Sequence, residues 1–308
     1  MQQRWRIGLL VLLITLIWGY AWVWMKVGLS YMGPFTFSAF RFGIGFFTLF
    51  VIIAFRKSRL PKREHLPGFL IVGILQTTLV FLLVMYGMHF VEAGKSSVLL
   101  YSMPIWSSLL ASKFLGERLN VRKVIGVLSG GAGLCFIMCG DVLVRQDSSI
   151  ILGESLILLA SLSWACANIV VKKKLAHVNK LQVSTYQMGF GTIGILLATC
   201  VMEWGEPVVL NATSCFAILF TGVLASALCF TIWFYVLSVI DTTTATISTM
   251  LVPIFGVFFS WLALNEPITI QMAIGTLLIL AGIFTSQHKT GEKRHLAKDG
   301  AADQRVMY

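Results

Sequence analysis

Residues 97–118, SVLLYSMPIWSSLLASKFLGER, and residues 246–267, TISTMLVPIFGVFFSWLALNEP, follow one pattern at two places in the chain. Each stretch is apolar and long enough to cross a bilayer as a helix. Two features mark the shared pattern, a mid-span proline (Pro104, Pro253) and a glutamate near the end (Glu117, Glu266). Shared leucines would mean little in an apolar chain. The ordered match of proline and glutamate therefore predicts an internal repeat.

The repeat extends over most of the chain. The offset of 149 residues that relates the two stretches also aligns Gly73 with Gly222, Tyr86 with Tyr235, Gly126 with Gly275 and Gly133 with Gly282. In the first two apolar stretches the offset is 146, which pairs Trp18 with Trp164, Lys26 with Lys172, Arg41 with Gln187 and Gly45 with Gly191. A small length difference in one loop explains the change. We expect a first five-helix repeat in residues 1–145 and a second in residues 146–287.

The composition indicates a membrane protein. Of 308 residues, 57% are hydrophobic and 12% are charged, with a mean hydropathy of +0.84, whereas a soluble domain carries about 25% charged residues. A hydropathy window of roughly 19 residues predicts ten spans, near residues 7–27, 36–55, 67–88, 95–114, 123–141, 152–171, 181–202, 214–237, 243–264 and 269–287. The net charge of +11 does not indicate nucleic-acid binding, because the basic residues lie in short loops between the spans.

The distribution of Lys and Arg predicts the orientation. With the N-terminus in the cytoplasm, nearly all of the 24 basic residues lie on the cytoplasmic side. The exceptions are Lys26, Lys95 and Arg145 on the outer side and Arg41 within a span. This bias predicts a multi-pass protein of the plasma or inner membrane with both termini in the cytoplasm. The polar residues 288–308 are expected to form a disordered cytoplasmic tail.

The number of spans per repeat predicts the arrangement of the halves. Five is odd, so the second half must enter the membrane upside down relative to the first. The predicted fold is therefore an all-α membrane protein with ten transmembrane helices in two inverted five-helix repeats. Inverted repeats are common in transporters, where the solute site lies near the midplane between the halves.

Several short motifs carry a family resemblance. They are Trp18-Gly19, Arg41-Phe42, Pro104 followed by Leu115-Gly116-Glu117-Arg118, and, in the second half, Trp164, Pro253, Asn265-Glu266 and Gly275. With these motifs the chain resembles, over about residues 7–287, the EamA-like family of the drug/metabolite transporter superfamily. The resemblance implies ten helices around a central cavity and export of amino acids or other small metabolites. Gln187 in place of Arg41 shows that the halves have diverged, and the motifs are specific for the family rather than for one solute.

Arg41 is the charge expected well inside a span, roughly 10 Å deep at about 1.5 Å per residue. Ser38, Arg41, Gly45 and Thr48 recur at helical spacing and form a stripe on one helix face. We predict that Arg41 attracts a carboxylate or another anionic part of the solute. Alternatively, Arg41 extends to the outer interface or bonds to backbone carbonyl groups.

The predicted substrate site contains further residues, Trp18, Gln76, Trp164, Asn168 and Gln187. Indole faces can line a cavity and hold a cationic group, or they can simply pack. The amide side chains need partners inside the bundle, so solute contact and bonding between helices both remain open. Pro104 and Pro253 are predicted hinges, with a packing kink that does not move as the alternative.

Other positions are expected to be structural. Gly126, Gly130 and Gly133 favour close helix packing within the fold, with association into a homodimer as the alternative. All 13 acidic residues are expected in loops, tails or at helix ends, with Glu117 and Glu266 capping helices or pairing with loops. The sequence therefore predicts no buried proton relay. It contains no catalytic motif and no cluster with metal-ligand spacing, so we expect no catalytic residue, no metal and no cofactor.

These observations predict a secondary membrane transporter. We expect it to export amino acids or related small metabolites by alternating access, with a small-molecule solute and the lipid bilayer as its partners. The alternative is an intramembrane enzyme or a lipid-modifying or lipid-flipping membrane protein. Such enzymes carry paired acids, a Ser/His pair or metal ligands within their spans, and His89 near a membrane edge is the single candidate found.

Overall fold

The computed structural model describes residues 2–56, 61–117, 120–144 and 148–287, and this part of the chain contains helices and no strand. The long helices are α1 (Gln2–Gly28), α2 (Pro34–Phe55), α3 (Arg63–Gly87), α4 (Ala93–Leu115), α5 (Val121–Val144), α6 (Ser148–Lys174), α7 (Lys180–Met202), α8 (Ala212–Val239), α9 (Thr242–Leu264) and α10 (Ile270–Gln287). These bounds agree with the ten predicted spans to within a few residues. The predicted tail, residues 288–308, lies outside the described residues.

The helices have the length and composition of membrane spans. Eight of them, α1 to α4 and α6 to α9, contain a window apolar and long enough to cross a bilayer. The other two, α5 with 24 residues and α10 with 18, occupy the fifth and tenth predicted positions. Large apolar side chains such as Phe47, Leu197 and Leu277 are exposed on the outside of the bundle, as expected for a surface that faces lipid.

Contacts between the loops show that successive helices run in alternate directions. The backbone N–H of Val209, between α7 and α8, donates to the carbonyl oxygen of Tyr31, between α1 and α2, at 2.9 Å. The ring of His65, at the start of α3, lies 5.3 Å from that of His177, between α6 and α7. The first contact marks the end of the bundle where α1 ends, here called the distal end. The second marks the end where α1 begins, here called the N-terminal end.

The two halves are inverted. Helix α1 runs toward the distal end, while α6, which contains the residues aligned with α1 in the repeat, runs toward the N-terminal end. The odd number of helices in each half predicted this relation, and the fold confirms it.

Glycines allow the two halves to approach each other closely. A Cβ atom on Gly133 of α5 would lie 2.5 Å from the carbonyl oxygen of Gly275 in α10, and one on Gly282 would lie 2.6 Å from that of Gly126. Contacts of the same kind join α2 to α8 and α3 to α7. The glycines of α5 therefore pack within the fold, as the sequence analysis expected.

Four helices are interrupted at equivalent places. Helix α3 is π-helical over Gly73–Leu79 and α8 over Phe220–Leu228. Helix α4 breaks between Leu100 and Met103, and α9 breaks between Ser248 and Leu251. Such interruptions free backbone groups that a regular helix would satisfy, and they frequently occur at functional sites.

The predicted hinges lie directly after the two breaks. Pro104 and Pro253 are in the first turn of the helical segments that begin at Met103 and Leu251. Proline fits the first turn of a helix because the N–H that it lacks would have no intrahelical partner there. The predicted mid-span kinks are therefore complete helix breaks, and whether they move remains a prediction.

Lysine side chains close the helix ends next to two equivalent turns. The Nζ of Lys26 in α1 donates to the carbonyl oxygens of Met88 (2.6 Å) and Val91 (3.1 Å), at the turn from α3 to α4. The equivalent Lys172 in α6 donates to the carbonyl oxygens of Leu237 and Ile240, at the turn from α8 to α9. These carbonyl groups are exposed by the end of a helix, where a positive charge is favourable.

Glutamates close the other side of the same turns and connect the halves. Glu266, after α9, accepts the backbone N–H groups of Ala93 and Gly94 at 3.0 Å each. The equivalent Glu117, after α4, accepts those of Thr242 at 2.9 Å and Thr243 at 3.3 Å. Both glutamates therefore cap a helix N-terminus in the opposite half. The two glutamates that marked the internal repeat in the sequence are therefore the residues that form these caps.

Candidate functional site

A small cavity lies at the centre of the bundle, where helices from both halves meet. Its volume is about 20 Å³, and it is lined by Trp18, Ala21, Trp22 and Met25 of α1, Arg41 of α2, Phe81 of α3, Leu100 and Tyr101 of α4, Trp164 of α6, and Phe230 of α8. A cavity of this size holds about one water molecule. Three of the predicted site residues, Trp18, Arg41 and Trp164, line it.

Arg41 is held in the interior by neutral groups. Its side chain is 2% exposed, its Nε donates to the hydroxyl oxygen of Ser226 at 2.9 Å, and its Nη1 lies 2.9 Å from the sulfur of Met25. The guanidinium carbon is 4.4 Å from the ring centre of Phe81. Within the described part of the chain Arg41 forms no ion pair. The side chain does not extend to the interface, which was one of the two alternatives to a solute-binding role.

The rest of the Arg41 stripe has structural contacts. The hydroxyl groups of Ser38 and Thr48 donate to carbonyl oxygens four residues earlier in their own helix. Gly45 packs against α8, where a Cβ atom would lie 2.9 Å from the carbonyl oxygen of Gly222. Of the four stripe residues, Arg41 is the one that lines the cavity.

The two tryptophans that the repeat aligns meet at the cavity but differ in their hydrogen bonding. The ring centres of Trp18 and Trp164 are 5.7 Å apart in an edge-to-face arrangement, and Trp164 stacks on Phe230 at 6.2 Å. The indole N–H of Trp18 donates to the carbonyl oxygen of Ala225 at 2.8 Å. The indole N–H of Trp164 is buried and has no hydrogen-bond partner among the described residues. The second half thus contributes to the cavity an indole N–H group that is free to donate a hydrogen bond to a solute.

The three predicted amide residues do not line the cavity. The oxygen of Asn168 accepts from the indole N–H of Trp233 at 3.2 Å, and the oxygen of Gln187 accepts from the hydroxyl group of Thr77 at 2.7 Å. Both polar atoms of the Gln76 amide, in the π-helical part of α3, are buried and have no partner in the described part of the chain. The Gln187–Thr77 bond is the repeat equivalent of the Arg41–Ser226 bond. A solute contact for these three residues stays a prediction.

A buried ion pair that the sequence analysis missed lies on α4 and α6. Lys95 Nζ contacts the carboxylate of Glu154, and the two side chains are 7% and 2% exposed. The expectation that every acidic residue lies in a loop, a tail or at a helix end is wrong for Glu154, which is the seventh residue of α6. Lys95, expected at the outer end of the span 95–114, lies in the first turn of α4. Arg41 is therefore not the only charge inside a span.

Glu154 was assigned to a helix end because the predicted span began too late in the sequence. Helix α6 begins at Ser148, four residues before the predicted span at residue 152, because polar residues open the helix ahead of its apolar part. The spacing of Lys95 and Glu154, 59 residues apart, gave no local signal for the pair. A charged residue close to the start of an apolar stretch, Glu154, was the one clue available.

Within the residues that the structure describes, ten long helices form two inverted halves with a buried cation where they meet, an arrangement typical of inverted-repeat membrane transporters. The EamA-like transporter family matches residues 5–139 and 151–286, and the chain belongs to this family, as the motifs indicated.

Known relatives support the assignment to this family, and a solved structure supports the fold. The chain is 36% identical to the uncharacterized transporter YoaV of Bacillus subtilis (strain 168) over 89% of this chain and 94% of the relative. It is 26% identical to a probable amino-acid metabolite efflux pump of Escherichia coli (strain K12), over 90% and 93%. A crystal structure of a protein with 19% sequence identity superimposes with a TM-score of 0.71 and covers 92% of this chain and 98% of that one. This last likeness supports the fold alone.

Proposed function

We propose that this protein is a secondary transporter that exports amino acids or related small metabolites by alternating access. The observation that carries the proposal is the guanidinium of Arg41, buried in an aromatic cavity between two inverted halves with neutral partners only. Two relatives are named a probable amino-acid metabolite efflux pump and a probable terminal-alkyne amino-acid exporter, and these names support the solute class.

A buried cation without a counter-ion is costly, because the hydration it loses is only partly replaced by a hydroxyl group, a thioether and aromatic rings. A solute carboxylate supplies the missing charge and can accept two hydrogen bonds from the planar guanidinium. The unpaired indole N–H of Trp164 offers a further donor. We infer that the carboxylate of the solute binds between these two groups.

The aromatic walls suit the rest of the solute. Trp22, Phe81, Tyr101 and Phe230 line the cavity, and aromatic rings can contact an apolar side chain or hold an ammonium group. With room for about one water molecule, the cavity must widen before an amino acid enters. Alternating access provides that widening when the halves 1–145 and 146–287 rock against each other, with the breaks before Pro104 and Pro253 as hinges.

The positive-inside bias supports the orientation. We place the N-terminal end of the bundle in the cytoplasm and the distal end outside, in the plasma or inner membrane. The cavity then collects its solute from the cytoplasm and releases it at the distal end.

The proposal is tested by counterflow in proteoliposomes, with radiolabelled amino acids and, for comparison, the amines that remain when their carboxylates are removed. We expect uptake of one or more amino acids and none of the matching amines. Arg41→Gln should raise the apparent KM of a transported amino acid about 10- to 100-fold, since a hydrogen bond to a charged group is lost.

Arg56→Gln is the matched control, because Arg56 is exposed at the end of the same helix and should leave the KM unchanged. If Arg41→Gln leaves the kinetics of every transported amino acid unchanged, Arg41 is not part of the site. If amines exchange as well as amino acids, the proposed solute class is wrong.

A further inference from the structure

Two ion pairs join the halves of the bundle without an equivalent in the repeat. The caps made by Lys26, Lys172, Glu117 and Glu266 occur in duplicate, so they belong to the construction that both halves share. Lys95 pairs with Glu154, although the aligned positions are Thr244 and Gly8. Lys123 pairs with Asp241, although Met272 is aligned with Lys123. Because neither ion pair has a counterpart at the aligned positions, neither belongs to the structure that the two repeats share.

The two pairs lie toward opposite ends of the bundle. Lys95 is in the first turn of α4, and the same helix segment leads to Leu100 and Tyr101 at the cavity wall. Glu154 is ten residues before Trp164 on α6, which is about 15 Å along a helix. The Lys95–Glu154 pair therefore closes α4 against α6 between the distal surface and the cavity.

The Lys123–Asp241 pair lies at the N-terminal end of the bundle, on two helices that contribute no described residue to the cavity lining. Lys123 is in the first turn of α5, and Asp241 caps the start of α9. Their charged atoms are 2.6 Å apart. Burial acts to raise the pKa of the Asp241 carboxyl, but hydrogen bonds from Lys123 and Thr244 outweigh it and hold the pKa below its usual range. Asp241 is therefore ionised and paired at neutral pH.

The pairs differ in their contact with solvent. Lys95 and Glu154 are 7% and 2% exposed, whereas Lys123 and Asp241 are 15% and 41% exposed. Breaking a buried pair leaves charges that water does not reach. Breaking a partly solvated pair costs little, because water replaces the lost partner.

We propose that the buried Lys95–Glu154 pair is the outer gate of the transport path, and that the partly solvated Lys123–Asp241 pair leaves the opposite end of the bundle easier to open. This inference rests on the proposed alternating access. A tight outer gate keeps the resting protein open more often to the cytoplasm, where an exporter collects its solute.

The test measures how fast a cysteine in the cavity wall reacts from each side of the membrane. Ala21→Cys is the reporter, because Ala21 lines the cavity and the substitution is small. It is introduced into the full chain after replacement of the six native cysteines. The probe is a membrane-impermeant thiol reagent, added from outside or inside to vesicles of known orientation.

We expect the protein with both pairs intact to allow faster labelling from the inside than from the outside. Glu154→Gln should accelerate labelling from the outside by about tenfold or more, because the buried attraction is lost. Asp241→Asn should change labelling from the inside by less than about threefold. Glu206→Gln is the matched control, since this exposed carboxylate is also at the distal end and its loss should change neither rate.

A charge swap separates gating from damage to the fold. The double variant Lys95→Glu/Glu154→Lys should return outside labelling toward the original rate. Unchanged outside labelling in Glu154→Gln, or equal acceleration from both sides, would overturn the assignment of the outer gate. If the original reporter reacts from neither side, alternating access itself fails, and this outcome is distinct from a failure of the outer gate.

Discussion

At the scale of single residues, the two aligned tryptophans have separate tasks. Trp18 donates its indole N–H to the backbone of α8 at 2.8 Å, so it links the two halves. Trp164 has the same ring at the same cavity and an N–H without a partner in the described part of the chain. We interpret Trp18 as the structural member of the pair and Trp164 as the member that binds solute.

Replacement of each indole by a phenyl ring tests this division of tasks. Trp18→Phe should lower the free energy of unfolding by about 1–2 kcal/mol, because a buried carbonyl group loses its donor, and should leave the apparent KM nearly unchanged. Trp164→Phe should keep the stability and raise the apparent KM about tenfold. Thermal unfolding in detergent and counterflow kinetics measure the two effects. The reverse pattern would assign the solute contact to Trp18.

The position of a single residue was predictable where its chemistry allowed few environments within a membrane. Arg41 stood out because an arginine inside a span must face the bundle interior, and the tryptophans stood out through the repeat. The amides Gln76, Asn168 and Gln187 gave the same kind of signal yet lie away from the cavity, because hydrogen bonding between helices requires the same residue types as solute binding. The Lys95–Glu154 pair was missed because it depends on how two distant helices meet.

At the scale of helices, close packing through glycine holds the fifth and tenth helices together. A Cβ atom on Gly133 would lie 2.5 Å from the carbonyl oxygen of Gly275, with Ile279 and Leu278 at 3.1 Å. The nearest atom is a backbone carbonyl oxygen, which cannot move aside as the end of a flexible side chain can.

Substitution of this glycine should therefore be destabilising. Gly133→Ala should lower the free energy of unfolding by about 1–3 kcal/mol, the usual cost of an overpacked contact. Gly8→Ala in α1 is the control, because a Cβ there meets nothing within 4 Å and alanine favours the helix. Unfolding midpoints of the two purified variants give the comparison. A Gly133→Ala variant as stable as Gly8→Ala would show that α5 and α10 are not in close contact.

The existence of each helix followed from the sequence, but the interruptions did not. Apolar length is enough to predict a span. The π-helical turns of α3 and α8 leave no pattern in hydropathy, and a mid-span proline predicts a distortion without saying how large it is.

At the scale of the whole molecule, inversion of the repeat makes the two ends of the bundle alike in construction and different in detail. Each end has one turn held by a lysine and a glutamate. One end adds a buried ion pair and the other a solvated one. The inverted arrangement was predictable from the odd number of spans and the charge bias. The interleaving of the halves, with α2 against α7 and α5 against α10, was not, because loops that short allow several arrangements.

The central claim is that the two halves move against each other and expose the cavity to one side at a time. Distances between spin labels measured by double electron–electron resonance test it most directly. One pair, Ser30→Cys with Thr269→Cys, spans the halves at the distal end. The other, Arg56→Cys with Lys173→Cys, spans them at the N-terminal end. All four positions are exposed.

The measurement is made in lipid, with and without an amino acid that counterflow has identified as a solute. The account predicts that the solute changes the two distances in opposite senses, so that one end widens as the other narrows. Two distances that both stay fixed, or that lengthen together, would contradict alternating access between the halves.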